Sequence, residues 1–203
     1  FVIVFPLTLM ILATVGLTIG KAITTVMLAI YSKVGWLAVG LVAMVLPLLI
    51  SIGAHKAFIP YVISSLGELG YEILYNAASL AHNISEGGAS LAVAVKTKDP
   101  ELKSAAISGG ISAIFGITEP AIYSVTLQHK RVLYGVMIGS FISGSFLGLM
   151  AVKAFVAMGP GLAGMAMFVD ANNPKNIMYA FAGFGIALCA SFIATFVLTI
   201  QKK

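Results

Sequence analysis

The chain has 203 residues, 60% of them hydrophobic and only 9% charged, with a mean hydropathy of +1.04. A soluble domain carries about 25% charge, so these values exclude an ordinary soluble enzyme and imply a polytopic membrane protein. The net charge of +5 is not a nucleic-acid footprint, because the basic residues lie in short loops between apolar runs, as membrane anchors do. The single cysteine, Cys189, excludes an internal disulfide, and neither a metal cluster nor a cofactor is called for.

Phe1 to Gly20 is uncharged and long enough to span. It starts inside an apolar run with no basic leader and no methionine, which reads as a fragment rather than a signal peptide. Lys21 follows, and Ala22 to Lys33 reads as an interfacial helix with Lys21 and Lys33 on its polar edge. Residues 1–33 thus form a first span and an interfacial helix, and residues 34–203 a transport core. Val34 to Ala54 is a second span, interrupted by His55 and Lys56, after which apolar character resumes to Leu66. Tyr71 to Val95 is apolar but predicted to break at His82-Asn83-Ile84-Ser85-Glu86-Gly87-Gly88. Lys96 to Glu101 is the most polar segment, where Asp99 can cap a helix and Pro100 suits its first position.

The segment 104–131 is the most informative. Ser104 to Phe115 is a 12-residue uncharged arm, and Ala121 to Leu127 is a second apolar arm. The first arm reaches ~18 Å as a helix, against a membrane core of ~30 Å, so it cannot cross alone. Gly116 can end one helix, and Thr118 or Glu119 can cap the next with Pro120 in its first turn. Lys96, Lys98 and Lys103 flank one end, Lys130 and Arg131 the other. Ends of like charge imply one side of the membrane, hence a re-entrant hairpin with Glu119 at its tip. Irregular backbone at that depth faces protein or a watery cavity, and an acid held there is a functional-site candidate.

Val132 to Val152 spans again. Within it Gly144 and Gly148 form a Gly-xxx-Gly packing motif. Gly159-Pro160-Gly161 opens a turn-rich apolar loop in which Met158, Met165 and Met167 read as gap fillers. Asp170 to Pro174 starts the last helix, and Asn176 to Gln201 is the final span before Lys202-Lys203. Cys189 reads as a packing residue there, and Tyr179 and Phe181 as anchors. Placing Lys202-Lys203 in the cytoplasm puts every basic loop inside except Lys56, Lys153 and Lys175, with five crossings and Phe1 outside. The predicted fold is therefore all-α and integral to the membrane, with about five transmembrane helices and one or two re-entrant hairpins.

The run Gly116-Ile117-Thr118-Glu119-Pro120-Ala121-Ile122-Tyr123 closely resembles the membrane-embedded IIC component of bacterial sugar phosphotransferase systems, in the glucose, β-glucoside and sucrose branch. Ser51-Ile52-Gly53-Ala54-His55 resembles the family's histidine segment. Glu86 to Lys98 resembles the small-residue segment before its basic loop, and Gly148 to Ala154 a segment of the following helix. Ser124, Lys56 and His82 depart from the family pattern.

The resemblance implies that residues 1–203 are the C-terminal, sugar-binding part of a IIC domain, cut from a longer protein whose upstream spans form a homodimer interface. It implies a multi-pass protein of the bacterial cytoplasmic (inner) membrane that transports a β-glucoside, sucrose or related sugar. Its partners are the sugar, a phosphorylated IIB domain, and IIA and HPr upstream, with no nucleic acid. The chain lacks the phosphocarrier residue and acts as the membrane part of a sugar phosphotransferase. Carried over, the motif glutamate and the histidine that contact sugar are Glu119 and His55. Glu119 is the catalytic candidate, lying near the hydroxyl that is phosphorylated. Asn83, Glu86, Thr118 and His82 join the substrate-binding set because free groups at helix breaks and helix starts contact ligands. The blander readings are a cap for Glu119, an interior residue for His55 and a self-satisfied polar turn for Asn83 and Glu86. The rival function is an ion-coupled secondary sugar transporter, in which Glu119 would titrate.

Overall fold

The computed structural model describes Thr25, Ala29 and residues 31–199. Phe1 to Gly20 and most of the interfacial stretch 22–33 lie outside these residues. The described chain folds into helices α1 (Tyr31–Ser51), α2 (Ile59–Leu69), α3 (Tyr75–Lys96), α4 (Pro100–Ile114), α5 (Glu119–Ala121), α6 (Lys130–Leu149) and α7 (Lys175–Leu198). Short 3-10 helices cover Ala54–Phe58 and Leu162–Phe168, and a π turn, Ile122–Thr126, continues α5. Glu72 and Ala154 form an isolated antiparallel bridge.

Among the described residues α1, α6 and α7 are long and apolar enough to cross a membrane. Their helical ranges lie within a few residues of the runs marked by hydropathy. Helix α3 has 22 residues, a rise of ~33 Å, but is far more polar. It is buried nearly throughout and packs on α4, α6, α7 and the π turn. Protein thus surrounds it on all sides, which is where polar side chains in a membrane protein belong.

The predicted break at His82–Gly88 is overturned, because α3 runs through it unbroken. The glycines that suggested a break serve close packing instead. A Cβ on Gly87 would lie 2.6 Å from Ile114 Cγ1 of α4, and one on Gly88 would run into the Leu188 carbonyl of α7. Only bare backbone lets α3 come this near to both neighbours.

The Gly-xxx-Gly pair of α6 packs against α1. A Cβ on Gly144 would stand 2.8 Å from Ala43 Cβ, and one on Gly148 2.8 Å from Trp36 Cα. Gly139 makes the same approach to Ser191 of α7. The apolar core holds Leu46, Tyr61, Leu74, Leu80, Ile84, Leu147 and Phe168. Met165 and Met167 are buried as gap fillers, whereas Met158 is exposed. Tyr179 packs against the core and Phe181 is half exposed. Cys189 is exposed on α7, against the expectation of a packing residue; small size alone does not say which side of an all-apolar helix faces inward.

Two polar braces hold the helix ends. The Glu72 carboxylate accepts from the backbone N–H of Leu74 (2.5 Å), Tyr75 (2.7 Å) and Asn76 (2.8 Å) at the start of α3. It meets the unpaired donors and the positive end of the helix dipole at once. Asn176, at the start of α7, donates to the carbonyls of Lys153 (2.8 Å) and Phe168 (2.7 Å) and accepts from Lys153 N (2.9 Å). These bonds fix the long α6–α7 connection over the start of α3.

Candidate functional site

Helix α4 starts as its sequence requires: Asp99 Oδ1 accepts from Glu101 N (2.9 Å) and Leu102 N (3.5 Å), with Pro100 in the first turn. It stops at Ile114, and Gly116 turns the chain with φ +104°. A side chain there would be strained and would meet the Pro160 carbonyl at 3.1 Å. The second arm begins at Glu119 with Pro120 in its first turn. Thr118 occupies the cap position and is buried, but its hydroxyl makes no capping bond. Its backbone is already helical, which points the hydroxyl away from the amides it would cap.

The two arms touch at Gly109, where a Cβ would sit 3.0 Å from both N and Cα of Ala121. Beside this contact an opening is lined by Ala105, Ser108, Glu119, Pro120, Tyr123 and Ser124. Glu119 is exposed in it. The π turn that follows shifts the register of the second arm, a device common at functional sites. The Ser124 hydroxyl donates back to the Pro120 carbonyl across that turn.

The other candidates gather on α3. Asn83 is buried and its Nδ2 donates to Pro160 O at 2.6 Å. Because Pro160 also abuts Gly116, this bond ties α3 to the hairpin tip. Glu86 is buried and its Oε2 accepts from Thr126 Oγ1 at 2.5 Å, which ties α3 to the second arm. His82 is buried with neither ring nitrogen partnered among the described residues. His55 lies in the 3-10 turn after Gly53, whose φ is +74°. It is half-buried with Nδ1 unpartnered.

The predicted set is therefore divided. His82, Asn83 and Glu86 lie on α3, Thr118 and Glu119 at the hairpin tip, and His55 on the 3-10 turn; Pro160 and Thr126 join α3 to the hairpin. Glu119 is not buried with the rest. His82, Glu86 and Ser90, four residues apart, share one face of α3, where the nitrogens of His82, Oε1 of Glu86 and Oγ of Ser90 lack partners. Polar groups left so in an apolar interior cost several kcal/mol each unless a ligand or water meets them. Sequence reasoning missed Thr126 and Pro160, which carry no local signal of their long-range partners. It also missed Glu72, although an acid just ahead of a helix start is a legible capping signal.

Comparison with known proteins follows the same direction. A family described as "Phosphotransferase system, EIIC" matches residues 1–140. The chain is 37% identical over 197 residues to the arbutin-, cellobiose- and salicin-specific EIIBC component of Escherichia coli K12, covering 97% of this chain and 41% of that protein. It is 32% identical to the β-glucoside-specific EIIBCA component of Bacillus subtilis 168, covering 92% of this chain and 30% of that protein. The sucrose-specific EIIBCA component of Pediococcus pentosaceus is likewise 32% identical, covering 92% of this chain and 29% of the relative. The chain thus spans between three and about four tenths of the length of these relatives. No solved structure matches it. With the family matched over 140 of its 203 residues, this apolar helical chain belongs to the EIIC family of membrane proteins of the phosphotransferase system.

Proposed function

We propose that the chain is the sugar-binding and sugar-translocating part of a phosphoenolpyruvate-dependent phosphotransferase system, taking a β-glucoside, sucrose or related glucoside into a bacterial cell. The observation that carries this reading is the placement of Glu119. It opens onto a recess at the tip of a helical hairpin, and that hairpin is bonded to a polar buried helix through Thr126–Glu86. A carboxylate there can accept a hydrogen bond from a sugar hydroxyl and orient it. The phosphoryl donor is a phosphocysteine on an EIIB domain, consistent with relatives named as fused EIIBC and EIIBCA proteins. The sulfur–phosphorus bond breaks as the oxygen–phosphorus bond forms, and the hydroxyl proton passes to Glu119 and on to solvent. The transition state of phosphoryl transfer is loose, so positioning outweighs base strength. His55, His82, Asn83, Glu86 and Thr118 supply the remaining hydroxyl contacts. The hairpin 104–131 enters and leaves the cytoplasmic membrane on one side, within five crossings. IIA and HPr recharge EIIB, and the protein dimerises through spans preceding this chain.

The test uses the full-length protein that carries this chain. A panel of radiolabelled glucosides is bound in detergent, and phosphoenolpyruvate-dependent phosphorylation is measured in vesicles. Glu119→Gln keeps shape but not charge and is expected to abolish phosphorylation; His55→Ala is expected to weaken binding of the same sugar. Near-normal phosphorylation by Glu119→Gln would remove the carboxylate from the chemistry. Uptake that survives without a phosphorylated product but stops when the proton gradient collapses would favour an ion-coupled transporter instead.

A further inference from the structure

A second cavity, of about 390 Å³, lies away from the hairpin opening. The end of α3, the start of α4, the start of α6 and the end of α7 enclose it. Lys96, His129, Lys130 and Arg131 line it, with Gln128, Thr97 and Thr199 adding polar groups. Its remaining lining is apolar: Val93, Leu102 and Val132. No acidic side chain is among the described lining residues. Lys96 is held in place, because its Nζ donates to the Phe196 carbonyl (2.5 Å) and lies 4.6 Å from the centre of the Phe196 ring. Lys130 and Arg131 are exposed.

The surroundings identify the kind of occupant. Val95, beside Lys96, is 68% exposed, and Phe196 and Val197 at the end of α7 are 40% and 56% exposed. An exposed apolar strip therefore adjoins a cationic cavity. A ligand that suits both is amphipathic, with an anionic head and an apolar tail. Basic pockets between spanning helices on the positively flanked side of a membrane favour such headgroups.

We propose that this cavity binds the phosphate headgroup of an anionic phospholipid, with the acyl chains along Val95, Phe196 and Val197. Lys130 and Arg131 contact the phosphate, and Lys96 fixes the wall between α3 and α7. A lipid seated here bridges the last turn of α3, the first turn of α6 and the end of α7. The inference rests on the membrane placement of the chain and not on the sugar chemistry at Glu119.

The experiment is native mass spectrometry of the full-length protein, delipidated in detergent and titrated with phosphatidylglycerol, phosphatidylcholine or inorganic phosphate. The expected result is one saturable phosphatidylglycerol adduct in preference to phosphatidylcholine. Each cation near an anionic headgroup contributes about a fivefold factor, so Lys130→Gln with Arg131→Gln is expected to weaken that adduct about 30-fold. The charge-preserving pair Lys130→Arg with Arg131→Lys should retain it, which separates lost charge from lost folding. Equal binding of the two lipids, or an adduct unchanged in the neutral pair, would overturn the proposal. So would displacement of the lipid by millimolar inorganic phosphate, which would mark a free-anion site. Displacement by an added EIIB domain would mark a protein docking site and overturn it too. Glucoside binding in the neutral pair should be unchanged, so its failure is distinguishable from failure of the sugar site.

Discussion

Gly109 gives the sharpest test of how the hairpin positions Glu119. An alanine Cβ at this point would lie 3.0 Å from Ala121 N and Cα and 3.3 Å from the Pro120 carbonyl carbon. Ordinary carbon contacts are ~3.5–4.0 Å, so the arms must part by roughly 0.5–1 Å. The atoms met are backbone, and they belong to the two residues that follow Glu119. In isolation Gly→Ala favours a helix by about 0.5–1 kcal/mol, so the variant gains helical preference while losing arm contact. A misplacement of about 1 Å can cost ~100-fold in rate. Gly109→Ala is therefore expected to reach the membrane in normal amount and to phosphorylate glucoside about 10–100-fold more slowly than the parent. The control is Gly185→Ala in α7, where nothing lies within 4 Å of the added carbon and activity should hold. Both are read as initial rates of phosphoenolpyruvate-dependent glucoside phosphorylation in vesicles, normalised to protein by immunoblot. A wild-type rate in Gly109→Ala would show that arm spacing does not set the carboxylate, and the positioning argument would fall.

Glu72→Ala strips two buried amides and one half-buried amide of their acceptor and should lower stability by about 2–4 kcal/mol, read as thermal unfolding in detergent. An unchanged unfolding midpoint would refute the capping role. Thr126→Val keeps side-chain shape but removes the donor to Glu86, and should cost about 1–3 kcal/mol. In a double-mutant cycle with Glu86→Gln the two changes should couple by at least about 0.5 kcal/mol; additive effects would deny the bond. Asp99→Ala should cost about 0.5–2 kcal/mol of stability while leaving phosphorylation near normal, since only the start of α4 loses its cap.

Much of the architecture was legible because membrane helices announce themselves locally. Hydropathy located α1, α6 and α7, and punctuation located the two arms of the hairpin: Asp99-Pro100 opens α4, Gly116 turns the chain and Pro120 begins the second arm. Reading failed where a residue's role is set by a distant neighbour. Gly87 and Gly88 look like helix breakers in sequence, yet α4 and α7 press against them and α3 continues. The same limit applies at the site. The candidates were nameable one by one from type and motif. Their grouping depends on Pro160 receiving Asn83 and Thr126 meeting Glu86, contacts that no local pattern encodes.

The late arrival of the partners of α3 has a consequence for biosynthesis. Thr126 follows Glu86 by 40 residues, Pro160 follows Asn83 by 77 and Phe196 follows Lys96 by 100. The ribosome therefore delivers the most polar helix of the described chain well before the side chains and carbonyls that receive it. Through that interval α3 cannot rest in lipid on its own hydropathy and must stay sheltered at the insertion machinery. A nascent chain stopped after α6 would hold the Glu86–Thr126 bond but lack both later ones, marking it for proteolytic removal while the completed chain is spared.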